Sequence, residues 1–188
     1  EDVRRRISPA KPSAAEWIKV MHEAHMMNLP TSATMMYGHV ETPRQRIDHL
    51  LAIRDLQARC PKGNYGFLAF IPWIFRSSGT RLESEGVHTH FSPLEYVRVI
   101  AVSRLILCNI RNVQASWLTV GKATAQLALH SGANDMGSIM IEENVVSSAG
   151  AHNEFDAEGI QRAIREAGFV PRLRNQLYEL REYPVRHQ

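Results

Sequence analysis

Apolar positions along this chain fall into two rhythms: short continuous runs, and longer stretches at helical spacing. The run at 33–37 closes on Gly38-His39-Val40-Glu41, and a second run at 67–73 is apolar throughout, as expected of a strand covered on both faces. Runs at 113–117 and 136–141 complete a set of four expected strands. Between them lie segments that open with helix-start chemistry. Ser13-Ala14-Ala15-Glu16, Thr42-Pro43-Arg44-Gln45 and Ser92-Pro93-Leu94-Glu95 each read as a capping box. In such a box the hydroxyl accepts from an amide left unpaired in the first turn, and the side chain three residues on reaches back. In the last two, proline takes the first helical position, where a missing N–H costs nothing. The spacing puts Trp17, Val20, Met21 and Ala24 on one helix face, Ile47, Leu50, Leu51, Leu56 and the stem of Arg54 on the next, and Leu94, Val97, Ala101, Leu105 and Cys108 on a third. Helices at 122–129 and 156–167 follow, stopped by Gly132 and Gly168. Residues 76–90 read as a long polar loop, the length of a lid or an excursion.

Strand and helix patterns in alternation predict an α/β fold with a parallel sheet and crossover helices. Four such units are half of an eight-stranded barrel, whose ligands sit where strands end and helices begin. The corner at Tyr37-Gly38-His39 is such a place. A half barrel leaves two unpaired parallel edges, which folded proteins normally avoid, so the edges pair elsewhere or the chain is a portion of something larger. That it opens on Glu1 rather than methionine favours a portion. Residues 1–167 are expected to form the β/α units and 168–188 a C-terminal extension.

At 188 residues, 44% hydrophobic and 22% charged, the chain suits one core. No apolar run approaches the roughly 20 residues of a membrane helix, so no membrane partner is expected. The net charge is +3 and the pI near 9.1, yet Lys and Arg are interleaved with Asp and Glu rather than striped, which argues against nucleic acid. Two cysteines, Cys60 and Cys108, and a charged opening set the expectation of a reducing, cytoplasmic setting without a leader.

Several motifs invite chemistry and fall short of it. His22-Glu23-Ala24-His25 spaces its histidines by three, where a helical zinc pair needs four. Val120-Gly121-Lys122-Ala123 resembles the end of a phosphate loop but lacks the earlier glycine and the hydroxyl after lysine. His88-Thr89-His90 has no carboxylate partner nearby in sequence, so no metal is expected. Glu142-Glu143 is the better candidate for moving a proton or binding hydroxyls, and alternation along a strand lets at most one of the two face a barrel interior. Trp73 and Trp117 close their apolar runs, either as core or as a wall for a flat ring.

The segment Thr34-x-Met36-x-Gly38-x-x-Glu41 is similar to the adenine-side motif of radical S-adenosylmethionine enzymes, Gly-x-Ile-x-Gly-x-x-Glu, with Thr34 and Met36 at the first two positions. The segments at 33–43, 67–73 and 114–122 resemble the group that contains the menaquinone futalosine-pathway enzymes and the deazaflavin (FO) synthase subunit. Ser138-Ile139-Met140-Ile141-Glu142-Glu143-Asn144-Val145-Val146, and the tail Ala167-Gly168-Phe169-x-Pro171-x-x-Arg174-x-x-Leu177-Tyr178, look like the cyclising member of that group. The resemblance implies the C-terminal half of a (β/α)8 radical SAM barrel. The implied reaction is a radical cyclisation of a nucleoside that feeds menaquinone synthesis. It assigns S-adenosylmethionine to Thr34, Met36, Gly38 and Glu41, and the nucleoside to Trp73, Ser116, Trp117 and Asn144, with Glu142 or Glu143 as catalytic candidates. It also implies a 4Fe-4S cluster on Cys-x-x-x-Cys-x-x-Cys, a motif this sequence lacks. The expected partner is then an N-terminal half carrying those cysteines, and the chain alone is expected to be inactive. The sibling enzymes share the corner at 37–42. A reading of another class is a non-catalytic half barrel that binds a nucleoside, or an inactive fragment.

Overall fold

Two long parallel strands, β1 (Thr31–Tyr37) and β2 (Phe67–Ile74), set the frame, in a computed structural model that describes residues 1–139 and 156–182. Helices α1 (Asp2–Ile7) and α2 (Ala14–Met26) precede β1, and α3 (Pro43–Ala58) crosses over to β2. A short α4 (Arg81–Ser84) breaks the segment expected to be loop, started by the Thr80 hydroxyl accepting from the Glu83 amide. Then come α5 (Pro93–Ile106), β3 (Asn112–Val113), α6 (Trp117–Val120), α7 (Lys122–His130) and α8 (Ala157–Glu166), and a small antiparallel hairpin of β4 (Leu173–Arg174) and β5 (Leu180–Arg181). The sheet order is β1-β2-β3, all parallel, and a single parallel bridge from Gln114 to Asp135 continues it. This is the α/β arrangement of half a barrel.

Helix starts follow the sequence. Ser13 with Glu16, and Thr42 with Gln45, form reciprocal capping boxes, and Asp156 caps α8 through the Gly159 amide at 2.6 Å. The third box is one-sided. Ser92 accepts from the Glu95 amide, but the Glu95 carboxylate turns away to Arg46 and Arg98. An ion pair with two guanidiniums outweighs one backbone hydrogen bond.

Alternation along the strands separates two faces. Ala33, Met35 and Tyr37 of β1 register with Phe70, Pro72 and Ile74 of β2, and Val113 with Phe70; all are buried beneath helices with Leu50, Ile53, Tyr96 and Ile100. The opposite face carries Ser32, Thr34 and Met36, beside Ala69, Ile71 and Trp73. Trp73 is 47% exposed there, so β2 is covered on one face among the described residues and not on two.

Four expectations need correcting. The strand expected at 113–117 stops at Val113, apart from the bridge at Gln114, and Trp117 begins a helix. The cause is Pro72. Gln114 donates to Phe70 O, and the next rung would need an N–H that proline lacks. The strand expected at 136–141 is, within the described residues, only the bridge at Asp135. On α5 the buried stripe is Tyr96, Val99, Ile100 and Ser103, leaving Leu94 and Leu105 exposed, and Cys108 lies beyond the helix end and is exposed. That helix is apolar nearly all round, so its period allows several faces, and packing selects the one that carries Tyr96 to the Ser116 amide at 2.7 Å. On α2, Trp17 and Met21 pack as expected, but Val20 is exposed and Ile18 and the buried His25 join the packed face instead.

Candidate functional site

The end of β1 is built around one buried carboxylate. Gly38 takes φ +86, a left-handed turn open to glycine at little cost, and swings the chain back so that Glu41 lies beneath it. Glu41 accepts from the Gly38 amide at 2.6 Å, the His39 amide at 2.9 Å and Arg46 Nε at 2.7 Å, and its side chain is 6% exposed. His39 Nδ1 lies 2.8 Å from Glu41 Oε2, and its ring stands edge-on to Phe75 at the end of β2. Arg46 also pairs with Glu95 on α5 and lies over the Tyr37 ring at 4.9 Å. Burial opposes the Glu41 charge, but the hydrogen bonds from His39 and the two amides outweigh it and hold the carboxyl far below the ordinary carboxylate range. The corner is thus an ionised brace joining β1, α3 and α5.

Beside it runs the free edge of β1. Tyr37 O accepts from Phe75 and Thr31 N donates to Gly66 O, so the odd-numbered residues face β2 and the even-numbered ones face outward. His49 Nε2 sits 3.2 Å from Thr34 O, and His39 Nε2 sits 3.1 Å from Met36 O. A cleft of about 770 Å³ follows this edge, with Thr34, Met36, Glu41 and Arg46 on one side and Arg4 and Trp17 on the other. Thr34, Met36 and Glu41 therefore share one cleft, with His39 beside them, while Gly38 turns the chain next to it without lining it. Met36 registers directly against Trp73, and both side chains are exposed on the concave face of the sheet.

Other sequence candidates lie apart from that opening. Ser116 is 8% exposed and its hydroxyl accepts from Thr119 Oγ1 at 3.1 Å, while Trp117 is buried in the core at the start of α6. Glu142, Glu143 and Asn144 fall outside the described residues. His25 is wholly buried, with Nε2 3.1 Å from the Thr31 hydroxyl and its ring edge-on to Phe67, and Lys122 pairs with Glu166. The sequence places His39 in the strand-end corner without a role, and does not mark Arg46 or Gln114. The first two sit in the same Gly-His-x-Glu corner and one helical turn beyond it, a spacing that could have flagged them.

The geometry defines a class first: parallel β/α units whose strand ends open onto a concave face that the described residues leave uncovered. The signature of the family described as CofH/MqnC C-terminal region matches residues 64–187, and the chain belongs to that family. Over 179 residues, 95% of this chain and 43% of the other, it is 44% identical to cyclic dehypoxanthine futalosine synthase of Streptomyces coelicolor. It is 43% identical over 184 residues to 5-amino-6-(D-ribitylamino)uracil–L-tyrosine 4-hydroxyphenyl transferase 1 of Methanosarcina mazei, covering 94% of this chain and 47% of that one. A similar transferase of Methanocaldococcus jannaschii is 38% identical over 186 residues, 97% and 51% of the two chains. The chain thus spans about half the length of these curated relatives.

Proposed function

We propose that this chain is the C-terminal half of a radical SAM enzyme that cyclises dehypoxanthine futalosine to cyclic dehypoxanthine futalosine in menaquinone synthesis. The observation that carries the reading is the adjacency of Met36 and Trp73 on an uncovered concave face, directly beside the cleft that holds Thr34 and Glu41. S-adenosylmethionine, when bound, supplies the hydrogen-abstracting chemistry. Outward-facing backbone groups of Thr34 and Met36 suit the edge of its adenine, and Gly38 lets the chain turn tightly above it. The Glu41–Arg46 brace fixes that backbone without touching a reacting atom. Met36 and Trp73 exclude water from the space where the substrate's sugar and aromatic ring would lie.

A 4Fe-4S cluster does not fit this chain. Three thiolates are needed. The two cysteines here lie after α3, with Cys60 Sγ turned to Asn64 O and its thiol pushed up by burial, and after α5, at exposed Cys108. The cluster ligands belong to an N-terminal half, the partner this reading requires, and the 188 residues alone are expected to be inactive. Iron and sulfide analysis after anaerobic reconstitution tests that point; one cluster per isolated chain would overturn it.

The near-equal identity to the tyrosine transferases supports a second reading, in which the substrates are 5-amino-6-(D-ribitylamino)uracil and tyrosine. The full-length protein, reconstituted anaerobically, decides between them. 5′-Deoxyadenosine formed only with dehypoxanthine futalosine supports the cyclase, and formation only with the uracil and tyrosine supports the transferase. Formation with neither ends both.

A further inference from the structure

The concave face is organised in levels. Register places Thr34 beside Ile71, and the bridge at Gln114 carries that level on to Asp135. Asn112 pairs with Ala69, so Gln114 falls on the same side of the sheet as Ile71, one level below Met36 and Trp73. The Gln114 side chain is half-buried, and its carboxamide makes no hydrogen bond to any described residue. A carboxamide there offers a donor and an acceptor side by side.

Two features hold it in place. Gly137 has φ +77, and a Cβ on it would come within 2.7 Å of Gln114 Nε2 and 3.1 Å of Cδ, so an alanine there would push the amide aside. The Gly137 turn is itself fixed by Asp135, whose Oδ1 accepts from the Gly137 amide at 3.1 Å. Asp135 is in turn gripped by the C-terminal tail. Arg174 Nη2 donates to Oδ2 at 2.7 Å and Nε to Oδ1 at 3.2 Å, and the Tyr178 hydroxyl donates to Oδ2 at 2.8 Å. The guanidinium stacks on the Tyr178 ring at 3.9 Å, and the pair is largely buried, with Asp135 10% and Arg174 19% exposed. Tyr178 sits at φ +62, and the Asn175 side chain holds the turn by accepting from the Leu177 and Glu179 amides.

From this geometry we infer that Gln114 reads the adjacent donor–acceptor edge of a heterocycle bound on the concave face, and that the tail residues Arg174 and Tyr178, acting through Asp135 and Gly137, are its positioning device. The inference rests on the proposed nucleoside site and adds its specificity element. The edge recognised is an amino–imine or lactam pair, the pattern a glutamine amide meets with two hydrogen bonds. The adenine of S-adenosylmethionine carries an amino–imine edge and the uracil of the second reading a lactam edge, whereas dehypoxanthine futalosine, having lost its hypoxanthine, carries neither.

The test uses the full-length protein with its cluster, measuring S-adenosylmethionine and nucleoside binding separately. Gln114→Glu keeps the shape and removes the donor. About tenfold weaker binding of one ligand, with the other and the melting temperature unchanged, is expected and names the source of the edge. Tyr178→Phe should raise KM for that same ligand while leaving kcat alone; a purely structural tail would lower the melting temperature and weaken both ligands together. Affinities of Gln114→Glu within twofold of wild type for both ligands would overturn the inference, as would a wild-type protein that binds neither. Binding that responds to Gln114→Glu in a protein that turns over neither substrate class would sink the proposed reaction and leave this assignment standing.

Discussion

Glu41 is the residue on which the strand-end corner depends. Its carboxyl titrates below its ordinary value of 4.5 in the folded chain, because hydrogen bonds from His39 and two amides overcome the penalty of burial. A depressed folded value stabilises the fold above the unfolded value and stops doing so as pH falls toward the folded one. Melting temperature of the full-length protein should therefore hold steady from neutrality to about pH 5 and then decline. Glu41→Gln should flatten that acid slope and cost roughly 3 kcal/mol at pH 7, since it leaves Arg46 half-paired in a buried site. An unchanged slope would mean that Glu41 is not the group responsible. Trp73 calls for the opposite behaviour. It is nearly half exposed, so Trp73→Ala should change stability by no more than about 0.5 kcal/mol. It should weaken nucleoside binding about tenfold if an aromatic wall is being removed. Titration of the variant with nucleoside, beside its melting curve, separates the two effects.

Among the elements, α5 is tied to the far strands by one side chain. Arg104 donates to Gly132 O at 2.7 Å, to the Ile110 and Arg111 carbonyls, and to Asn134 Oδ1 at 2.8 Å, joining the end of α7 to the entry of β3. Arg104→Met should lower stability by roughly 1–2 kcal/mol, because several part-buried and exposed acceptors lose a charged donor at once. Gly132→Ala should act on the same junction: its φ is +115, and a Cβ would lie 2.8 Å from Arg104 Cβ. Thermal unfolding of the two single variants and the double checks whether their losses fail to add, as one shared junction requires. At this scale much was legible in the sequence, since a serine or threonine followed three residues later by an acid or amide marks a helix start through local geometry alone. What stayed hidden depends on partners distant in the chain. The stripe of α5 was misread because several faces are apolar and a contact from Tyr96 to Ser116 makes the choice. The short β3 follows from a proline on the neighbouring strand. At the site, Thr34, Met36 and Glu41 were grouped by the resemblance of their segment to the adenine-side motif, and the structure brings those three into one cleft. The clasp of Arg174 and Tyr178 on Asp135, across 39 and 43 residues, has no local signature.

For the molecule as a whole, the governing fact is the edge of β1 that no strand among the described residues pairs with. The outward amides and carbonyls of Ser32, Thr34 and Met36 form a template for another strand, and two histidine rings occupy only part of it. The 188-residue chain by itself is therefore expected to self-associate as concentration rises. Addition of the N-terminal half in trans should suppress this, and light scattering across a dilution series reads both outcomes. A chain that stays monomeric at high concentration would mean that the edge is already satisfied. Pro72 carries a further consequence. Beyond the Gln114 amide on Phe70 O the ladder between the second and third strands ends, and the chain after β3 is held instead by the Tyr96 hydroxyl of α5 on the Ser116 amide and by Arg76 on Thr119 O. Replacing Tyr96 with phenylalanine would therefore slacken the stitch between α5 and the rim at Ser116, while Arg76 and the weave beneath stay intact.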